Sequence, residues 1–131
     1  MRSLVVEDEF ISRLALQRQL SRFGESHIAV SGEEAVAAFR LALGSASPYE
    51  LVCMDIRMPG IDGVEALRQI RKLEDEEGVL PSKGVKIFMT TAVDQVKEVV
   101  ESYRALCDAY LVKPIDGTKL LEKLLELALI P

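Results

Sequence analysis

The sequence predicts a doubly wound α/β domain built on a parallel sheet. Three observations point there. Short aliphatic runs alternate with amphipathic stretches five times along the chain. The run Leu51-Val52-Cys53-Met54 is apolar throughout, as a strand covered on both faces must be. Capping signals also open the segments between the runs.

The strand candidates are Ser3 to Val6, His27 to Val30, Leu51 to Met54, Val85 to Met89 and Ala109 to Val112. The first helical segment carries Leu16, Leu20 and Phe23 on one face, and the second carries Ala35, Phe39 and Leu43. Ser31-x-x-Glu34 and Asp62-x-x-Glu65 match the capping box that opens the second and third helices, and Asp116 is placed to cap the last. A fourth helix buries Val96, Val99, Val100 and Tyr103, and Leu120, Leu121, Leu124 and Leu125 give the last a broad apolar face. The acidic run Glu74 to Glu77 and the segment Gly78 to Gly84 read as a helix end and a solvated connection.

With 131 residues, 49% hydrophobic, the chain suits one compact domain, expected to span 1–131 without an output domain. Sixteen Lys and Arg against 21 Asp and Glu leave a net charge of -5, which disfavours direct contact with nucleic acid or anionic lipid. Cys53 and Cys107 lack metal-ligand or redox spacing and read as small core residues. No signal peptide or membrane span is legible, so a cytoplasmic protein is expected. His27 has no neighbouring ligand and reads as a packing residue, while Met54, Met58 and Met89 read as gap-filling.

Side chains at the carboxyl ends of the strands of such a sheet line a common crevice. Glu7, Asp8 and Glu9 follow the first strand, Asp55 the third, Thr90 and Thr91 the fourth, and Lys113 the fifth. Clustered carboxylates repel one another unless a cation neutralises them, and a set of oxygen ligands completed by water and phosphate suits Mg²⁺. Asp55 is then a nucleophile for a phosphoryl group whose oxygens are held by Lys113 and a threonine hydroxyl. Pro59, Gly60 and Gly63 turn the chain away and leave the carboxylate open. The competing reading is a set of solvated loop carboxylates.

In order along the chain, Val5-Val6-Glu7-Asp8-Glu9, Asp55-Ile56-Arg57-Met58-Pro59-Gly60-Ile61-Asp62-Gly63, Met89-Thr90-Thr91-Ala92 and Asp108-Ala109-Tyr110-Leu111-Val112-Lys113-Pro114 resemble a bacterial response-regulator receiver domain. The resemblance implies a flavodoxin-like (βα)5 fold with strand order 2-1-3-4-5. It implies that a histidine kinase or phosphotransfer protein donates its phosphoryl group to Asp55 in the presence of Mg²⁺. Glu7, Asp8 and Asp55 then hold the metal together with the backbone carbonyl of Arg57. Thr91 matches the switch hydroxyl, Tyr110 the aromatic that moves with it, and Lys113 the pocket lysine, before a cis Lys113-Pro114 bond. Thr91 is preferred to Thr90 because Ala92 follows it, and the two remain alternatives.

The resemblance makes the chain a stand-alone phosphoacceptor switch of a two-component system or phosphorelay. It is not an enzyme beyond its own phosphoryl transfer and dephosphorylation. It signals to an unidentified downstream protein through the surface of the fourth helix, fifth strand and last helix, which could also support a homodimer. Three features depart from the pattern: Leu106-Cys107 before the fifth strand, the long connection around Gly78 to Gly84, and Arg57, expected to tune dephosphorylation from the pocket mouth. A metal-dependent phosphohydrolase is the second reading, disfavoured because Arg57 stands where that chemistry needs a carboxylic acid. A binding module that is never phosphorylated is the third.

Overall fold

The structure is a computed structural model that describes residues 1–92 and 106–131. A single five-stranded sheet holds β1 (Ser3–Val6), β2 (Ser26–Ala29), β3 (Leu51–Asp55), β4 (Lys86–Thr91) and β5 (Ala109–Val112). All pairings are parallel, in the order β2-β1-β3-β4-β5. Helices α1 (Phe10–Ser21), α2 (Gly32–Leu43), α3 (Gly63–Glu76) and α4 (Gly117–Glu126) flank it, with a short 3₁₀ turn at Pro81–Lys83. The expected fold and strand order are those observed. The expected helix of Val96 to Tyr103 lies outside the described residues.

Strand alternation sorts the core into two layers. Val5, Leu51, Cys53, Phe88 and Leu111 pack on Leu16 and Leu20 of α1 and Leu120 and Leu124 of α4. Leu4, Val6, Val52, Met54, Ile87 and Met89 pack on Phe39 of α2 and Leu67 and Ile70 of α3. Because β1, β3 and β4 have helices on both sides, all residues of β1 and β3 are buried. At the edge, β5 alternates instead, with Ala109 and Leu111 inside and Tyr110 and Val112 exposed.

Each helix starts where a side chain accepts the first free amides. Ser31 accepts from Glu34 N, Asp62 from Glu65 N and Asp116 from Thr118 N, as the sequence predicts. Two expectations change. Leu121 and Leu125 are exposed, because neighbouring leucines sit about 100° apart around a helix and the Leu120–Leu124 pair takes the core. Glu74 is buried rather than solvated: it pairs with Arg71 at 2.7 Å and accepts the Val85 amide at 2.7 Å.

Arg71 ties the amino-terminal edge of the sheet together. Its guanidinium donates to the carbonyls of Leu106 and Val85 and to the Asp108 carboxylate at 3.0 Å, and Asp108 accepts the Ile87 amide. Lone His27, on β2, contacts the Tyr49 hydroxyl through Nδ1 and Glu25 through Nε2, consistent with a packing role.

Candidate functional site

The carboxyl edge of the sheet fixes the backbone of the site. Beyond the strand ends the ladder continues: Glu7 N donates to Ala29 O, Ile56 N to Thr90 O and Lys113 N to Thr91 O. Glu7, Asp55 and Lys113 therefore stand on rigid ends of β1, β3 and β5. Gly63 completes the support, since a Cβ there would lie 2.1 Å from the Asp55 carbonyl oxygen. Its amide donates to Ile56 O at 2.8 Å, so α3 starts hard against the end of β3.

The side chains converge. Lys113 Nζ donates to Glu7 Oε1 and, at 3.0 Å, to Asp55 Oδ2. One carboxylate oxygen from each of Glu7, Asp8 and Asp55 lies within 4.8 Å of the others. Glu7 is 3% and Asp55 7% exposed, while Asp8 is open to solvent. Burial raises the pKa of Glu7, and the neighbouring Asp55 adds to the rise. Burial works to lower that of Lys113, but its bonds to Glu7 and Asp55 prevail and raise it.

A divalent cation fits this donor set. Glu7 Oε2 is buried with no hydrogen-bond partner among the described residues, a costly state for an acceptor that a cation would relieve. The set contains oxygen donors only, as hard cations prefer.

Glu9, grouped with the acidic residues by sequence, is turned elsewhere. Its carboxylate accepts from Ile11 N and Ser12 N and caps α1, and the Ser12 amide holds its pKa below the usual range. The two threonines are both buried but face opposite layers. Thr90 lines a cavity of about 200 Å³ with Glu7, Lys113, Ile11 and Ser12, on the α1 side. Thr91, 1% exposed, donates its hydroxyl to Ala92 O at 3.2 Å. Register places Thr91 beside Val112 and Met89 beside Tyr110, so Thr91 and Tyr110 share the other face of the sheet. Arg57 is exposed in the loop after β3, and the Lys113-Pro114 bond is cis.

Two residues escaped the sequence reading. Arg13, one turn into α1, donates to the carbonyls of Glu7 and Asp8 at 3.2 Å and so supports the acidic pair from behind. Glu33 accepts the amide of Ile61, in the loop after Asp55, at 2.6 Å. Neither bond has a sequence signature, because each depends on how a helix is set against a distant loop.

Comparisons with known proteins point to one family. The family described as response regulator receiver domain matches residues 3–125. The chain is 38% identical over 125 residues to response regulator MprA of Mycobacterium avium, covering 95% of this chain and 49% of that protein. It is 31% identical over 131 residues to the sensory/regulatory protein RpfC of Xanthomonas campestris, covering 98% of this chain but 16% of that protein. The chain thus spans half or less of these curated relatives. Among solved structures, it is similar to the receiver domain of the Saccharomyces cerevisiae response regulator Ssk1, solved with the histidine phosphotransfer signaling protein Ypd1. There the TM-score is 0.80 at 27% identity, over 96% of this chain and 87% of that one.

Proposed function

The chain belongs to the response-regulator receiver domain family, and from that premise we propose that Asp55 is its phosphoacceptor, served by Lys113 and by a Mg²⁺ held by Glu7, Asp8, Asp55 and the Arg57 carbonyl. The observation that carries this reading is the bridge from Lys113 Nζ to Glu7 and Asp55 beside the Asp8 carboxylate.

An Asp55 carboxylate oxygen forms the new bond to phosphorus while the bond to the donor's imidazole nitrogen breaks, and the electron pair returns to that ring. Lys113 is within reach of Asp55, so its ammonium can hold a phosphoryl oxygen as negative charge develops. Mg²⁺ held by Glu7, Asp8, Asp55 and the Arg57 carbonyl would supply neutralisation of the phosphoryl charge. Hydrolysis then returns the carboxylate and inorganic phosphate, which makes the chemistry a timer on a signal rather than turnover of a metabolite. Arg57, at the mouth, sets how readily water approaches.

The donor is a histidine kinase or phosphotransfer protein, and the phosphoryl group biases a two-state equilibrium through Thr91 and Tyr110. Their shared face of the sheet supports that assignment. The receiving partner engages the surface expected of the fourth helical segment of the sequence, β5 and the last helix, α4; among the described residues Tyr110, Val112, Leu121 and Leu125 are exposed there. No helix among the described residues is long and apolar enough to cross a membrane, which is compatible with a cytoplasmic location.

The test is intact mass after incubation with Mg²⁺ and acetyl phosphate, beside Asp55→Asn. A phosphoryl-sized gain that needs Mg²⁺ and is absent from the variant supports the reading. No gain in the parent, with a phosphohistidine donor also failing, overturns it in favour of a binding module.

A further inference from the structure

The loop that leaves β3 is tied at its base and at its far end. At the base, Gly63 N donates to Ile56 O at 2.8 Å and Ile56 N to Thr90 O at 3.2 Å. At the far end, Ile61 N donates to Glu33 Oε1 at 2.6 Å, across a sequence separation of 28 residues. The neighbouring Asp62 carboxylate is occupied with the Glu65 amide, so it does not compete for this role. Residues 57–60 lie between these two ties.

Glu33 is fitted to its place. It lies in the first turn of α2, whose start is fixed by the Ser31 cap. Gly60 has a φ of +78°, and a Cβ on it would lie 2.5 Å from Glu33 Oε1 and 2.7 Å from Oε2. Glycine at 60 therefore meets two demands at once, the left-handed backbone and the space for the carboxylate. Gly32 likewise lets the helix approach, since a Cβ there would lie 2.6 Å from Ile61 Cγ1 and 2.8 Å from Ile61 O.

We propose that Glu33 is a positioning residue for the metal site: it clamps the loop after Asp55 so that the Arg57 carbonyl is presented to a divalent cation. This inference rests on the Mg²⁺ reading given above. A ligand carbonyl on an untied loop must be ordered at the moment of binding, and that cost appears as lost affinity. The clamp acts through reach and geometry, not through net charge.

The experiment is an Mg²⁺ titration followed by backbone amide NMR on the parent, Glu33→Ala, Glu33→Gln and Glu33→Asp, with Asp55→Asn as the control for the site. Glu33→Ala is expected to weaken Mg²⁺ about tenfold, as loss of an outer supporting partner does. The Ile61 amide should move upfield and exchange faster with solvent. Glu33→Gln keeps an acceptor oxygen at the same reach and should restore both readouts; Glu33→Asp keeps the charge, loses the reach and should resemble Ala. Equal Mg²⁺ affinity in parent and Glu33→Ala overturns the clamp and leaves the metal site standing. Failure of Gln with success of Asp shows a charge effect and also overturns it. A parent that binds no Mg²⁺ overturns both the clamp and the reading beneath it. Should Glu33→Ala not fold, the Gln and Asp pair decides.

Discussion

Lys113 reaches from the end of β5 past β4 to place its ammonium 3.0 Å from Asp55 Oδ2 on β3, while also donating to Glu7 beyond β1. One cation thus holds two buried carboxylates together, in the place where a metal would also draw them. Lys113→Ala should remove a phosphoryl-holding donor and slow uptake from acetyl phosphate by about a hundredfold or more. It should also remove a competing charge and tighten Mg²⁺ by roughly tenfold, as expected for ~1–2 kcal/mol of screened Coulomb energy. Phosphorylation kinetics by intact mass and an Mg²⁺ titration measure the two opposed effects.

Thr90 and Thr91 should separate cleanly. Thr91→Ala is expected to accept the phosphoryl group yet leave the Tyr110 ring resonances unmoved by phosphorylation, whereas the parent shifts them. Thr90→Ala, on the opposite face, should retain the shift and lose about 1 kcal/mol of stability through lost packing of a buried side chain. The reverse pattern in NMR and chemical unfolding would reassign the switch hydroxyl.

Arg71→Ala should be among the most damaging substitutions far from the pocket. Glu74 is 5% exposed, and with Arg71 gone both it and Asp108 lose their guanidinium. Stranding a buried carboxylate costs about 3 kcal/mol or more, which urea unfolding would register. Phosphoryl uptake by the folded fraction should be unaffected.

Acid stability has a local contributor at Glu25. Its bond from His27, helped by Arg2, holds its pKa below the usual carboxylate value of 4.5. A depressed folded pKa gives stability that is fully present above 4.5 and is lost as pH falls through the folded value. Glu25→Gln should therefore be less stable than the parent near neutrality, and the gap should close as the pH drops below 4.5. Thermal unfolding between pH 3 and pH 7 follows it.

Cys53 offers a probe of core integrity. Burial pushes its thiol up to about 12, so at pH 8 about one part in ten thousand is the reactive thiolate. Alkylation of Cys53 should occur only on unfolding, readable by peptide mass mapping after brief iodoacetamide treatment.

Much of this protein is legible in its sequence because the informative residues act locally. A continuous apolar run signals a strand covered on both faces, and Ser31, Asp62 and Asp116 cap the helices that follow them. Glu7, Asp8, Asp55 and Lys113 could be gathered by one rule, that strand ends share an edge. What stayed hidden depends on the setting of helices against distant segments. Glu9 looks like a pocket carboxylate until α1 claims it, and Glu74 looks solvated until Arg71 and the Val85 amide enclose it. Glu33 and Arg13 had no signal in any local pattern.

The Arg71 network gives β4 the mechanics of a beam gripped at one end. Its base is held by the Val85 carbonyl on Arg71, the Val85 amide on Glu74 and the Ile87 amide on Asp108. Its tip carries Thr90 and Thr91 at the other edge. The tip is joined to its neighbours through the sheet, by the Ile56 amide on Thr90 O and the Lys113 amide on Thr91 O, so a displacement at Thr91 would load the edge strand β5 before it reached the pinned base. Under the phosphoacceptor reading proposed above, the grip would steer a push at the phosphoryl end toward that edge, and the place where the strand is fastened would set the direction of the signal.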